Sequence, residues 1–188
     1  MQNNQTDEEI VRLVQAGDIE SFSFLIERYE AKIKRYARKF LSGTEDIEDI
    51  VQEIFIKVYS NIQSVDTDRK FSSWLYRIAH NEFINLLRKK EKTPLLFFDP
   101  DTLFPHPIAN ENADSNTINE ETKTNINKCL EKIPSKYREP IVLYYLEEMN
   151  YKEISDIMHV PVSTVGIRLK RGREMLELIC NKLNINHE

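Results

Sequence analysis

The sequence predicts an all-α chain, arranged as two small helical domains joined by a flexible linker. Three observations predict it. Apolar residues recur at i, i+3, i+4 and i+7 over most of the chain, the spacing of one face of a helix. Glycine is scarce, with four among 188 residues. The periodicity lapses once, between residues 95 and 119, where Pro100, Pro105 and Pro107 stand among four acids and no base. That stretch carries most of the net charge of −5 and separates domains at 1–94 and 120–188.

The N-terminal domain reads as four helices. Thr6 and Glu9 have the spacing of a capping box, and the short helix they open stops near Gly17. A second helix runs from about residue 21 to 41, with Phe22, Leu25, Ile26, Tyr29, Ile33, Tyr36, Ala37 and Phe40 on one face, and ends at Ser42-Gly43. Thr44 can cap a third helix. Its buried stripe is Ile47, Ile50, Val51, Ile54, Phe55 and Val58, and its other face shows Asp46, Glu48, Asp49, Gln52, Glu53 and Lys57. After a polar loop at 61–70, Ser72 can cap a fourth helix with Leu75, Ile78, Ala79, Phe83, Leu86 and Leu87 inward. Trp74, Tyr76, His80 and Asn81 accompany Arg69, Lys70, Arg77, Arg88 and Lys89 there. Aromatic rings beside cations suit single-stranded nucleic acid, where bases stack and phosphates are neutralised.

The linker is not wholly polar. Leu95, Leu96, Phe97, Phe98, Leu103 and Phe104 have little use in a flexible spacer, so they dock on a domain or meet a partner.

The C-terminal domain carries a helix-turn-helix signature over residues 145–173. Asn150 can cap its first helix, with Glu153 completing a capping box, and Ile154, Ile157 and Met158 form the apolar face. His159-Val160-Pro161 breaks it. Ser163 can cap the second helix, in which residues 162–173 hold Arg168, Lys170, Arg171 and Arg173 and no acid. At about 100° per residue, Val165, Leu169, Gly172 and Leu176 align toward partner helices. Ser163, Ile167, Lys170 and Arg171 project the other way, where a recognition helix meets the major groove. Lys and Arg can neutralise phosphates or read guanine edges, and Ile167 or Thr164 can touch a thymine methyl. Pro140 marks the first turns of a preceding helix or a kink in it.

Composition excludes several classes. No apolar run approaches a membrane span, and the polar start MQNNQTDEEI lacks a signal-peptide core, so the expected location is the cytoplasm with no membrane insertion. No P-loop, nucleophile elbow or metal-spaced His or Cys cluster is present, so neither an enzyme nor a cofactor is expected. Cys129 and Cys180 sit at apolar positions of helical patterns and read as small core residues.

Together these segments resemble the small sigma factors of bacterial RNA polymerase, the extracytoplasmic-function (ECF) group. DIEDIVQEIFIKVY (46–59) is similar to the family's core-polymerase-binding helix, and KFSSWLYRIAHNEFINLLRKK (70–90) to its −10 segment. LEKIPSKYREPIVLYYLEEMNYKEISDIMHVPVSTVGIRLKRGREML (130–176) is similar to its −35-reading domain. Three segments in this order are far more specific than a helix-turn-helix alone. The resemblance implies a sigma region 2 domain at 1–94 and a sigma region 4 domain at 120–188. It implies that Asp46, Asp49, Gln52 and Glu53 contact the β′ clamp helices of core RNA polymerase, with the β flap as a second contact. It implies that Trp74, Arg77 and Asn81 open the −10 element, that Lys70, Arg88 and Lys89 hold phosphates, and that the loop 64–71 captures a flipped base. Ser163, Thr164, Ile167, Arg168, Lys170 and Arg171 would meet the −35 duplex. Family members usually have an anti-sigma factor, often membrane-anchored.

The chain departs from the family pattern at three places. His159 replaces the usual turn glycine and must adopt the backbone angle the turn needs. Gly166-Ile167 stands where Lys-Ser or Lys-Thr is frequent, and Asn85 where Asp is common. Two other readings stay open on these residues: a two-domain DNA-binding regulator that does not replace sigma, and a degenerate sigma-like protein that only titrates an anti-sigma factor.

Overall fold

The computed structural model describes residues 5–41, 44–91 and 120–182, apart from the side chains at 44, 45, 88, 90, 91 and 120–124. The linker 95–119, the Ser42-Gly43 stop, the Thr44 cap and the Arg88 side chain lie outside the described residues. Within them all regular structure is helical, as the periodicity predicts. The chain divides into two units, Met1–Leu96 and Phe97–Glu188.

In the first unit, α1 (Asp7–Gln15) opens with the predicted Thr6–Glu9 capping box, and Gly17, at φ 105°, follows its end. Ile10, Val11 and Val14 are buried. The acids of its first turn reach far along the chain. Asp7 accepts from Arg28 Nη1 at 2.7 Å and from the Tyr29 hydroxyl at 2.5 Å, and Glu8 accepts the Phe71 N–H at 2.9 Å. α2 (Phe22–Ala37) is shorter than the predicted 21–41. Its tail tightens into turns in which the Lys39 and Phe40 N–H groups bond to the Tyr36 and Ala37 carbonyls. α3 (Thr44–Ser60) buries its whole predicted stripe, from Ile47 to Val58.

α4 (Phe71–Glu91) corrects the predicted Ser72 cap. The helix begins at Phe71, so Ser72 lies inside it, and the carboxylate on the opening N–H comes from Glu8, 63 residues away. Leu75, Ala79 and Phe83 are buried as predicted, while Ile78, Leu86 and Leu87 are half-buried. Tyr76 and His80, read above beside the cations, are buried instead. Tyr36 packs against the rings of Phe40, Tyr76 and Phe83 at centroid distances of 5.2, 5.2 and 5.1 Å. Fully burying each large side chain of such a core contributes about 1.5–3 kcal/mol.

The second unit contains α5 (Glu120–Glu131), α6 (Ser135–Ile141), α7 (Tyr151–Met158) and α8 (Val162–Lys182), with α8 packed on the other three. Arg138 joins α5 to α6 by donating to the Glu131 and Ile133 carbonyls at the end of α5, the place where a cation complements the helix dipole. Pro140 lies near the end of α6 rather than in its first turns. Proline has no N–H to give the preceding turn, and the chain widens just after it into a π-turn at Val142–Leu146, where Glu147 N–H bonds to Val142 O. Cys129 and Cys180 are both buried, and burial together with the neighbouring Cys129 pushes the Cys180 thiol up to about 12.

Candidate functional site

Three surfaces carry the predicted site residues: two in the first unit and one in the second.

On α3, Asp49, Gln52 and Glu53 are exposed and Asp46 is half-buried. Asp49, Gln52 and Glu53 recur at i, i+3 and i+4, so they share a face. The single base of this helix, Lys57, pairs with Glu82 of α4 at 2.5 Å. Its charge is directed along the seam between helices, and the outer face keeps its acidic and amide character. The sequence reading passed over Ile56. It is 64% exposed on the same side as Asp49 and Glu53. Its signal was available, because Ile56 falls outside the stripe that Ile54, Phe55 and Val58 define.

On α4, Lys70, Trp74, Arg77 and Asn81 stand at successive offsets of four, three and four, which places them along one side of the helix and its entry. Lys70 and Asn81 are exposed, Trp74 and Arg77 half-buried. Trp74 rests against Phe71 at a centroid distance of 6.0 Å, and Phe71 in turn meets Tyr29 at 5.6 Å. The indole therefore sits on a packed base with part of its surface exposed. Lys89 is exposed further along. With Tyr76 and His80 buried, Trp74 is the remaining ring of this predicted set.

In the second unit the first helix of the motif opens as the sequence predicts. Asn150 Oδ1 accepts the N–H groups of Lys152 and Glu153 at 3.0 Å, and Glu153 returns a carboxylate to the Asn150 N–H at 2.8 Å. His159 takes the left-handed conformation, φ 54° and ψ 41°. That conformation costs a non-glycine residue about 1–2 kcal/mol. Local bonds hold the turn: Ser155 O accepts the N–H groups of His159 and Val160, and Ser155 Oγ donates to Val160 O at 2.6 Å.

The outward set on α8 needs correction. The helix begins at Val162, so Ser163 lies inside its first turn rather than capping it. Of the outward set Ser163, Ile167, Lys170 and Arg171, all but Ile167 are exposed; Ile167 and the further −35 candidates Thr164 and Arg168 are buried, at 9, 2 and 8% exposure. A single inward stripe would leave Ile167 outside. A helix packed on α5, α6 and α7 buries a wider arc, which takes in Thr164 and Arg168 and reaches Ile167 at its edge. Val165, Leu169 and Gly172 are buried as predicted, and Leu176 is half-buried.

Among the described residues no His, Cys, Asp and Glu group could hold a metal ion, and no helix is long and apolar enough to cross a membrane.

The Sigma-70 region 2 family model matches residues 25–93, and the Sigma-70 region 4 model matches residues 123–176. ECF RNA polymerase sigma factor SigW of Bacillus subtilis is 37% identical over 177 residues, covering 88% of this chain and 92% of that protein. The ECF RNA polymerase sigma-E factor of Escherichia coli K12 is 32% identical over 184 residues, covering 94% and 95%. CnrH, solved in complex with the cytosolic domain of CnrY, superposes with a TM-score of 0.70 at 23% identity, covering 95% of this chain and 99% of that one. The sigma factor RpoE of Bartonella quintana, solved with the anti-sigma factor NepR, gives 0.66 at 22% identity, covering 86% and 98%. At these identities the two structures share the fold.

Proposed function

The chain belongs to the ECF sigma factors of the sigma-70 family, and from that premise we propose how its surfaces divide the work of promoter recognition. Residues 1–94 bind core RNA polymerase and open the −10 element. Residues 95–119 link the two domains in sequence, and residues 120–188 read the −35 duplex and meet the β flap. Asp46, Asp49, Gln52 and Glu53 dock on the β′ clamp helices, where an acidic and amide face suits a basic partner. Trp74 offers a stacking surface, Asn81 and Arg77 contact the opened strand, and Lys70, Arg88 and Lys89 neutralise its phosphates. On α8 the outward residues Ser163, Lys170 and Arg171 make the duplex contacts. The protein works in the cytoplasm and performs no chemistry, since the polymerase supplies the active site. An anti-sigma factor holds it inactive, as the NepR-bound relative of the same fold suggests.

The exposed face of α3 carries this reading. Asp49, Gln52 and Glu53 lie outward while Lys57 is drawn aside by Glu82. A regulator that acts on DNA without replacing sigma has no use for that face. The test is run-off transcription on fragmented genomic DNA with core polymerase, with and without this protein. Discrete new transcripts sharing upstream −35 and −10 motifs are expected. Failure to bind core polymerase would leave only a DNA-binding module.

A further inference from the structure

Side chains of α1 and the loop 61–70 tie the two segments together. Gln15 Nε2 donates to two carbonyl oxygens of the loop, Ile62 O at 2.8 Å and Val65 O at 3.1 Å. Arg12 donates through Nε to Thr67 Oγ1 at 3.1 Å and through Nη2 to Thr67 O at 3.3 Å. Gln63 reaches back to Gln15 O at 3.2 Å, and Glu8 closes the far end by accepting the Phe71 N–H. Inside the loop, Asp66 Oδ1 accepts the Asp68 N–H at 3.0 Å and Asp66 O accepts the Arg69 N–H at 3.1 Å.

Ile62 and Val65 are buried and already anchor the loop by apolar packing. The α1 bonds add something packing cannot. A bond to a carbonyl fixes the plane of its peptide, and with it the direction of the neighbouring side chains. Between the anchored carbonyls of Ile62, Val65 and Thr67 stand the exposed Gln63, Ser64 and Asp66. An anchored loop loses less freedom when it takes a ligand, and extruding a base costs a few kcal/mol that a preorganised pocket must return.

We propose that Gln15, assisted by Arg12, is a positioning residue for promoter opening: it holds the loop 61–70 in the shape that receives an unstacked −10 base. This rests on the sigma function proposed above and on the base-capturing role that the family resemblance implies for residues 64–71. The α1 residues touch no DNA in this scheme and act through the loop.

The test uses holoenzyme assembled from the full chain and core polymerase. Single-stranded DNA is selected from a random pool by the unmodified holoenzyme, and binding of the selected and scrambled strands is compared by fluorescence anisotropy. Gln15→Ala should lower the selected-to-scrambled affinity ratio about tenfold, in line with the loss of two hydrogen bonds, with core binding unchanged. Arg12→Ala, on an exposed side chain, should lower the ratio about threefold, and Arg12→Lys should recover part of it. If Gln15→Ala does not fold, the two Arg12 variants decide. A ratio unchanged in folded variants overturns the inference and leaves the function standing. Selection of no sequence by the unmodified holoenzyme overturns the function, and this inference with it.

Discussion

Gly172 leaves no room for a side chain beside Ile141. A Cβ at that position would stand 2.6 Å from Ile141 Cδ1 and 2.9 Å from the Tyr137 carbonyl oxygen. The backbone of α8 therefore comes as close to α6 as it does because residue 172 has no Cβ. A flexible side-chain tip could yield, but a backbone carbonyl in a helix cannot. Gly172→Ala should destabilise the C-terminal unit by about 1–3 kcal/mol, the usual cost of overpacking. Gly166, on the same helix, is the control. Its added Cβ would meet Tyr151 Cε2 at 3.6 Å, an ordinary contact. Gly166→Ala should stabilise by up to about 1 kcal/mol through helix propensity. Urea midpoints of the two variants should move in opposite directions.

Asp49→Lys with Glu53→Lys should weaken binding to core polymerase by at least about tenfold. Both side chains are exposed, so the fold should survive, with an unchanged thermal midpoint. Affinity for a −35 duplex should not change, since α3 belongs to the other unit. Equal core affinity in the charge-reversed protein would remove α3 from the polymerase interface.

Lys170→Ala and Arg171→Ala should each weaken duplex binding and reduce the salt slope of log K by about 1. Thr164→Ala should behave differently. Thr164 is 2% exposed, so its substitution should shift stability rather than the salt slope. Titrations at several salt concentrations, paired with melting curves, separate the two behaviours.

Tyr29 gives a pH dependence with a defined sign. Burial first, and then the hydrogen bond and negative charge of Asp7, push its phenol well above the ordinary value of 10.0. Below that value both folded and unfolded chains keep the proton, and Tyr29 adds no slope. Above it the unfolded chain loses the proton while the folded chain keeps it, so stability falls as pH rises from about 10. Tyr29→Phe should lose about 1.5–3 kcal/mol near neutrality, from the broken bond to Asp7, and should show a shallower alkaline decline. Urea midpoints at about pH 8 and about pH 11 for both proteins provide the check.

Much of this arrangement could be read from the chain. The stripe of α3 and the Asn150 capping box depend on neighbours three or four residues away, and such patterns are written locally. The misreadings have separate causes. Ser72 and Ser163 look like caps by local chemistry, but the start of α4 is met by Glu8 of a distant helix, and α8 begins before Ser163. Ile167 looked outward because a helical wheel assumes one inward direction, whereas α8 has three packing neighbours. The links from Arg12 and Gln15 to the loop left no trace, because their partners include backbone carbonyls, which every residue type presents alike. Ile56 was legible and overlooked: an apolar residue out of phase with its own stripe.

The reach of α1 bears on where this protein can be cut. The region 2 family model begins at residue 25, after α1 has ended. A fragment trimmed to that boundary would keep every predicted DNA and polymerase residue of the first unit. It would also strip the carboxylates from Tyr29 and from the Phe71 N–H, and the amide from Ile62 and Val65. Such a fragment would hold the contact residues without the bonds that tie α1 to the loop 61–70, and a DNA affinity below that of the whole chain is expected. The smallest inherited module and the smallest mechanically complete one differ here by the residues before 25, α1 and the opening of α2 among them.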